Sequence, residues 1–228
     1  MTKDDFVRIF QSMSFFSLDQ VVQTFGQSRS VMYTTLWRLE KKGVIMSLRN
    51  GLYALTDPYR QAPLHAAGCS GAIYPGSCIS TWWAMRWYGL STRSVESVTA
   101  VSASKTRFFI NPLGRFEYRA LERKLLFGMV DLIIGQMPVR IALPEKALTD
   151  LIYLYTGVVH TVDYFLLDLN PLALARLDWR RVENFARRYS RSFVADSVAH
   201  IAFLLRNGNS YDKPDNLAAI IAAATHAA

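Results

Sequence analysis

Seven side chains between residues 29 and 41 have the types and the spacing that contact with nucleic acid requires. They are Arg29, Ser30, Tyr33, Thr34, Trp37, Arg38 and Lys41. On a helix they lie on one side, opposite an apolar stripe formed by Met32, Leu36 and Leu39. Arginine binds guanine through two hydrogen bonds, and hydroxyl groups serve several bases and the phosphates. The pattern therefore predicts a helix face that contacts double-stranded DNA.

Two further helices must position this face. Ser17 with Gln20 three residues later is a capping-box pattern, which predicts a second helix that starts at Leu18 and stops near Gly26. Ser28 or Ser30 then caps the third helix. An amphipathic stretch near the N-terminus predicts the first helix.

A basic hairpin is predicted directly after the third helix. Asn50-Gly51 between two apolar runs is a strong hairpin signal, and it places Arg49 at the tip. Between Gln20 and Thr56 there are five basic residues and one acid, which is a net charge of +4. Three helices and a hairpin over residues 1–57 predict a winged helix-turn-helix, with its third helix in the major groove.

The full set of predicted DNA contacts covers the helix start, its exposed face and the wing. It consists of Ser28, Arg29, Ser30, Tyr33, Thr34, Trp37, Arg38, Lys41, Arg49 and Asn50. A single such unit discriminates weakly between DNA sequences, so we expect a homodimer on inverted or direct repeats. The alternatives are a small scaffold with a solvated basic face and a protein-docking module.

Length and composition exclude several classes of protein. The chain has 228 residues, which favours two domains, and its net charge of +8 favours an acidic partner. Two cysteines, Cys69 and Cys78, are too few for a disulfide scaffold, and no spacing suggests a metal. We find no secretory signal and no apolar stretch long enough to span a bilayer, so we expect a cytoplasmic protein without membrane contact.

A Pro- and Gly-rich stretch predicts a linker at 58–75, ahead of a second domain at 76–228. Residues 66–72 are apolar enough to include a helix end, so a shorter linker is the alternative.

Residues 78–88 predict an aromatic-rich helix buried along Ile79, Trp83 and Trp87. Its alternative role is base stacking.

The second domain is predicted to combine a sheet with helices. Period-two alternation and apolar runs between residues 97 and 143 predict a mostly antiparallel sheet. Pro144 opens a helix, and the C-terminal half that follows is helical, including 161–169 and 216–224. The predicted fold class is thus α+β: an N-terminal winged helix-turn-helix, then a mixed α/β domain with a helical C-terminal half.

A second basic patch lies in that helical half. Six arginines stand against two acids, and the six are Arg176, Arg180, Arg181, Arg187, Arg188 and Arg191. Two interpretations stay open, a solvated helix face and a contact surface for an acidic protein or nucleic acid.

No catalytic constellation can be assembled from the sequence. The histidines His65, His160, His200 and His226 are dispersed, and Ser70 lacks the turn of a nucleophile elbow. Asp131 with Glu145 and Lys146 only superficially suggests a nuclease core, because the acid and the lysine are adjacent and follow a proline. We therefore expect no enzyme activity, no cofactor and no metal, with nuclease as a remote alternative.

Three segments in this order resemble the AbiEi family of antitoxins from bacterial AbiE-type (type IV) toxin-antitoxin systems. They are Gly51 to Leu55, which closes the wing, Cys78 to Leu90, and Leu143 to Leu151 with its Pro-Glu-Lys motif. The resemblance covers nearly the whole chain. Departures from the family pattern are Trp82 and Trp83, where a small or aliphatic residue is usual, and the Ala-rich tail.

The resemblance implies a repressor of its own promoter that counteracts a cognate nucleotidyltransferase toxin, often without a stable complex, in phage defence. Carried over by position, it implies DNA contacts from the third helix and the wing. The Pro-Glu-Lys motif is best explained as a helix start, with Glu145 or Lys146 paired internally. The main alternative is a stand-alone winged-helix regulator whose C-terminal domain senses a ligand or mediates oligomerisation.

Overall fold

A computed structural model of the chain describes residues 2–155 and 168–206. Its first unit contains three helices and a three-stranded antiparallel sheet in the order β1-β3-β2. The elements are α1 (Lys3–Phe10), β1 (Phe16–Ser17), α2 (Leu18–Phe25), α3 (Arg29–Lys41), β2 (Ile45–Arg49) and β3 (Leu52–Leu55).

Local capping explains why α2 and α3 begin and end where they do. The Ser17 hydroxyl accepts a hydrogen bond from the Gln20 backbone N–H at 3.1 Å, and the Gln20 side chain accepts one from the Ser17 N–H at 2.7 Å. Gly26 ends α2 with a φ of 61°, in the left-handed region that suits glycine. Ser28 caps α3. The predicted limits of these helices are confirmed.

The hairpin and the small core are also as predicted. Strands β2 and β3 pair antiparallel, with Arg49 opposite Leu52 across the Asn50-Gly51 turn. The predicted stripe of α3 is buried, in a core that it shares with the aromatic rings of Phe6, Phe10 and Phe16. These contacts hold the opposite face of α3 toward solvent.

The second unit is built on a six-stranded sheet. Its first elements are α4 (Ala66–Ile73), β4 (Cys78–Ile79), α5 (Thr81–Trp87), β5 (Ser97–Ser102), β6 (Arg107–Asn111) and β7 (Gly114–Ala120). After a short 3₁₀ turn come β8 (Met129–Ile134), β9 (Met137–Ala142), α6 (Pro144–Tyr155), α7 (Pro171–Leu174), α8 (Trp179–Ala186) and α9 (Ser192–Arg206).

The order of this sheet is β6-β7-β5-β4-β9-β8. Strand pairs β6/β7, β4/β5 and β8/β9 are antiparallel, whereas β5/β7 and β4/β9 are parallel. The sheet is therefore mixed rather than mostly antiparallel. The described fold is mixed α+β, as the sequence predicts at that coarser level.

Part of the segment predicted as a linker is helical. Residues 66–73 form α4, whose Ala67, Cys69 and Ile73 are buried in the core of the second unit. This helix lies so close to the sheet that a Cβ on Gly68 would meet the Met137 sulfur at 2.5 Å. The connection that is free of helix and strand is accordingly shorter than 58–75.

The predicted aromatic helix differs in its start and in its buried face. Cys78 and Ile79 form a strand, and the helix begins only at Thr81. Trp82 is buried, while Trp83 and Trp87 stack on each other near the surface with ring centroids 5.7 Å apart. The prediction fails because Ile79 belongs to a strand, so the three residues do not share a helical period.

Two predicted helices cannot be compared with the structure. The helix at 216–224 and nearly all of that at 161–169 lie outside the described residues, and Leu169 forms a β-bridge with Ser91. Within the described ranges, no helix combines the length and the apolar character needed to cross a membrane.

The hairpin joins the two units. Asn111 donates a hydrogen bond from its amide to the Leu48 carbonyl at 2.9 Å, and Arg49 donates one from Nε to the Ala72 carbonyl at 3.3 Å. Leu48 and Leu52 are buried in the hydrophobic core of the second unit. The hairpin is thus a structural bridge as well as an edge of the first unit.

Candidate nucleic-acid interface

The outward face of α3 carries all seven predicted side chains in exposed positions. Tyr33 is 52% exposed and Trp37 53%, so neither ring belongs to the core. The other five are exposed as well: Arg29, Ser30, Thr34, Arg38 and Lys41. The thirteen residues of α3 span about 20 Å, which suits a helix that is laid along a major groove.

The only carboxylate on α3 is engaged elsewhere. Glu40 accepts a hydrogen bond through Oε1 from the Ser47 backbone N–H of β2 at 3.2 Å. This contact ties the C-terminal end of α3 to the hairpin and holds the negative charge at that joint. The Lys41 ammonium lies 5.7 Å from the Trp37 ring centroid, within the range of a cation–π contact.

Of the three basic side chains on the outward face of α3, that of Arg38 is the one without a partner in the described part of the chain. Among the described residues its side chain has no ion pair, hydrogen bond or ring contact. Arg29, in contrast, pairs with Asp19 of α2 on the surface. Thr34 donates its hydroxyl proton to the Ser30 carbonyl at 3.1 Å, so its oxygen is left as an acceptor. These differences rank Arg38 above Arg29 as a candidate for base contact.

The two predicted residues of the hairpin tip differ in their surroundings. Asn50 is exposed, whereas Arg49 is half-buried. Besides its contact with Ala72, Arg49 donates from Nη1 to the Asn50 carbonyl at 3.2 Å. Its guanidinium is therefore largely used at the junction, and DNA contact by Arg49 stays a prediction.

Four of the six arginines in the second basic patch are engaged in ion pairs or ring contacts. Arg181 pairs with Glu145 at 3.4 Å and with Asp178 at 3.5 Å, and Arg187 pairs with Glu183 at 3.7 Å. The other contacts are with rings, since the guanidinium carbon of Arg188 lies 3.6 Å from the Phe127 centroid and that of Arg191 lies 5.5 Å from the Tyr153 centroid.

Two arginines of this patch, Arg176 and Arg180, are exposed and have no ion pair or ring contact among the described residues. They are the two available for an acidic partner. Arg181 and Arg191 contact Glu145 and Tyr153 of α6, and Arg188 contacts Phe127. Arg187 pairs within its own helix.

A buried polar network that the sequence analysis did not predict in full surrounds the Pro-Glu-Lys motif. Lys146 has no solvent exposure, pairs with Asp150 one turn later, and donates a hydrogen bond to the Tyr189 hydroxyl at 2.8 Å. Tyr189 donates to Asp150 at 2.8 Å, and Ser80 donates to the other Asp150 oxygen at 2.7 Å. The predicted internal pairing is confirmed, since Lys146 pairs with Asp150 and Glu145 with Arg181. The contacts of Ser80 and Tyr189 have no local sequence signal.

Burial governs the protonation of this network. It lowers the pKa of Lys146, because removal from water disfavours the ammonium, and the nearby Asp150 opposes that change. Burial also raises the pKa of Tyr189 well above its usual range. The network has no route to solvent on the Lys146 side, so its geometry supports a structural role.

Burial controls the protonation of the two thiols. Burial raises the pKa values of Cys69 and Cys78 to about 12, which keeps both thiols protonated and unreactive near neutral pH. Within 2–155 and 168–206 there is no group of three or more His, Cys, Asp or Glu side chains that could hold a metal ion.

Comparisons with known proteins identify no family for this chain. No protein-family model matches the chain, and no curated protein matches it. Among solved structures the chain is similar to the crystal structure of the RV2827C protein from Mycobacterium tuberculosis, with a TM-score of 0.44 and 12% identity. That similarity covers 82% of this chain and 76% of the other.

Proposed function

We propose that the chain binds double-stranded DNA through a winged helix-turn-helix formed by residues 1–57, and that it represses its own promoter. In this arrangement α3 is the recognition helix and β2–β3 is the wing. One observation carries the proposal: α3 exposes seven contact-forming side chains, while its single carboxylate is hydrogen-bonded to the Ser47 backbone.

The electrostatics of this face support phosphate contact. Arg38, Lys41 and the exposed Lys42 lie at the C-terminal end of α3, where no acid other than Glu40 is near in sequence. Each basic side chain that neutralises a phosphate releases counterions, so binding must weaken as salt rises. Tyr33 and Trp37 add apolar contact area, which suits thymine methyl groups and sugars.

The test is a gel-shift titration with DNA from the chain's own promoter region. Arg38→Ala should weaken binding by about 1–3 kcal/mol if Arg38 contacts a base edge. Arg86→Ala is a matched control, because Arg86 is exposed near the end of the short helix α5 in the second unit. Unchanged binding after combined Arg29→Ala, Arg38→Ala and Lys41→Ala substitution would contradict the proposal.

We further propose that the second unit counteracts a nucleotidyltransferase toxin, as the AbiEi resemblance implies. Support comes from the order of the three motif segments. Two of them meet in the structure, where Ser80 donates to Asp150 and β4 pairs with β9 ahead of α6. These motifs therefore describe a common core, while the antitoxin role rests on the resemblance itself.

Co-expression in a host strain tests this second role. If the neighbouring gene encodes a nucleotidyltransferase that arrests growth, full-length chain should restore growth. The combined Arg29, Arg38 and Lys41 variant should restore it equally, because neutralisation does not need the DNA-contacting face. Persistent arrest with the parent chain would contradict the antitoxin role and leave the DNA-binding proposal standing.

A further inference from the structure

A cavity of about 600 Å³ opens between the two units. The first unit contributes Met13, Phe15 and Gln20 to its lining. The second unit contributes residues of α4, β4, β8 and β9, among them Met137. Cavities of this size hold small organic ligands, and a junction between two units is a common place for them.

The wall of the cavity contains a buried polar atom without a partner. Ser77 is 6% exposed, and its hydroxyl has no hydrogen-bond partner among the described residues. Such a group costs free energy when it is left unsatisfied, so nearly all buried hydroxyls are paired. The oxygen itself has almost no accessible surface, so this cost lies within the fold beside the cavity and is not a ligand contact.

The mouth of the cavity carries one cation with free donors. Nε of Arg140 lies 3.8 Å from Oδ1 of Asp131 on the neighbouring strand, a loose contact between two exposed side chains. The terminal nitrogens of Arg140 have no hydrogen bond within the described part of the chain. A guanidinium with both terminal nitrogens available binds a carboxylate through two parallel hydrogen bonds.

We propose that this cavity binds a small amphipathic carboxylate. Its carboxylate pairs with Arg140, and its apolar body lies against Met13, Phe15 and Met137. The proposal does not rest on DNA binding, and its test measures ligand binding directly.

The probe is 8-anilinonaphthalene-1-sulfonate, an aromatic body with one sulfonate that stands in for the carboxylate. Titration of the full-length chain should give a saturable, single-site rise in fluorescence. The ligand 4-phenylbutyrate should displace the probe, while the uncharged 4-phenylbutan-1-ol should not do so at the same concentration. A rise that does not saturate, or equal displacement by the alcohol, would overturn the proposal.

Two arginine variants identify the site. Arg140→Gln should weaken probe binding about tenfold, as expected for loss of a charged hydrogen-bonding group. Arg115→Gln is the matched control, because Arg115 is equally exposed, lies 3.8 Å from the Glu96 carboxylate, and is not part of the cavity wall. Equal losses in both variants would show a general charge effect and reject the site.

Two further variants separate binding from folding. Ser77→Ala should leave probe binding and displacement by 4-phenylbutyrate unchanged while Tm stays the same or rises, since it removes an unpaired buried hydroxyl that the ligand does not contact; weaker displacement at unchanged Tm would contradict the placement of the ligand against Arg140. Gly71→Met adds a side chain at the cavity wall where a Cβ meets no atom within 4 Å, and it should abolish probe binding. If it does not fold, the arginine pair still decides.

Discussion

At the scale of single residues, Glu40 has two effects that can be separated. Its carboxylate accepts a hydrogen bond from Ser47 and also adds a negative charge to the basic face of α3. We predict that Glu40→Gln raises the affinity for promoter DNA by about 0.2–1 kcal/mol, because the amide oxygen keeps the hydrogen bond while the charge is lost. The gain should shrink in gel-shift titrations at high salt.

The control for this prediction is Glu40→Ala, which removes both the charge and the acceptor. Its free energy of unfolding should fall by about 1 kcal/mol, whereas that of Glu40→Gln should stay close to the parent value. Urea unfolding of the three proteins measures this difference. Lower DNA affinity in Glu40→Gln would contradict the assignment of α3.

The buried thiols give a pH prediction. Because burial raises the pKa values of Cys69 and Cys78 from 9.0 to about 12, the folded chain keeps protons that the unfolded chain loses between those pH values. The free energy of unfolding should therefore fall as pH rises from 9 to 12, by up to about 1.4 kcal/mol per pH unit for each thiol.

The contribution of the thiols is isolated by subtraction. Lys146, whose pKa is lowered, acts in the opposite direction, and Tyr118, whose pKa is raised, acts in the same direction. Both remain in a Cys69→Ala/Cys78→Ala variant. Urea unfolding from pH 8 to 11 should show a shallower decline for this variant than for the parent, and parallel curves would refute the prediction.

At the scale of secondary-structure elements, the Lys146 network connects α6 to its neighbours. Asp150 receives hydrogen bonds from the turn before α5 and from Tyr189, which follows α8. We predict that Lys146→Met lowers the free energy of unfolding by about 3–5 kcal/mol, because it leaves the Asp150 charge buried without its cation.

A double variant checks the reason for that loss. Lys146→Met with Asp150→Leu removes both charges, so it should recover much of the stability that the single variant loses. Thermal unfolding of the parent, single and double variants measures this coupling. A double variant that is less stable than the single one would mean that hydrogen bonding, rather than charge burial, dominates.

Elements with local signals could be predicted, and those set by distant contacts could not. The limits of α2 and α3 followed from Ser17, Gln20, Gly26 and Ser28, which act within a few residues of each helix end. The strand at Cys78–Ile79 exists because it pairs with β5 and β9, which lie about 20 and 60 residues further along the chain. No local pattern records such a pairing.

The candidate site divides in the same way. The exposed face of α3 could be predicted from helical spacing, since burial of one stripe fixes the direction of the other. The hydrogen bond from Arg49 to the second unit could not be predicted, because its acceptor is the carbonyl of Ala72, 23 residues away. The cavity between the units likewise depends on how the segment after α1 meets α4 and the six-stranded sheet.

At the scale of the whole molecule, two hydrogen bonds at the hairpin help to hold the units together. We predict that Arg49→Ala with Asn111→Ala loosens the junction, because each substitution removes a donor to a backbone carbonyl, a loss of about 1 kcal/mol each. Limited proteolysis between residues 56 and 64 should become faster, and calorimetric unfolding should broaden.

Arg107→Ala is the control for the junction. Arg107 is an exposed arginine of β6, the strand that also carries Asn111, and it makes no hydrogen bond through its side chain within the described ranges. Its loss should leave proteolysis and the unfolding transition unchanged. Equal proteolysis of the double variant and the parent would show that apolar packing of Leu48 and Leu52 is sufficient for the junction.

The order of the large sheet also bears on self-association. In the part of the chain that the structure describes, β6 and β8 each pair with one neighbour, and they expose Phe108, Ile110 and Ile133 at the two margins of the sheet. Apolar edge strands invite pairing with another chain, and charged side chains on the edge oppose it. Asp131 on β8 provides such a charge. Asp131→Val should therefore increase aggregation as the protein is concentrated.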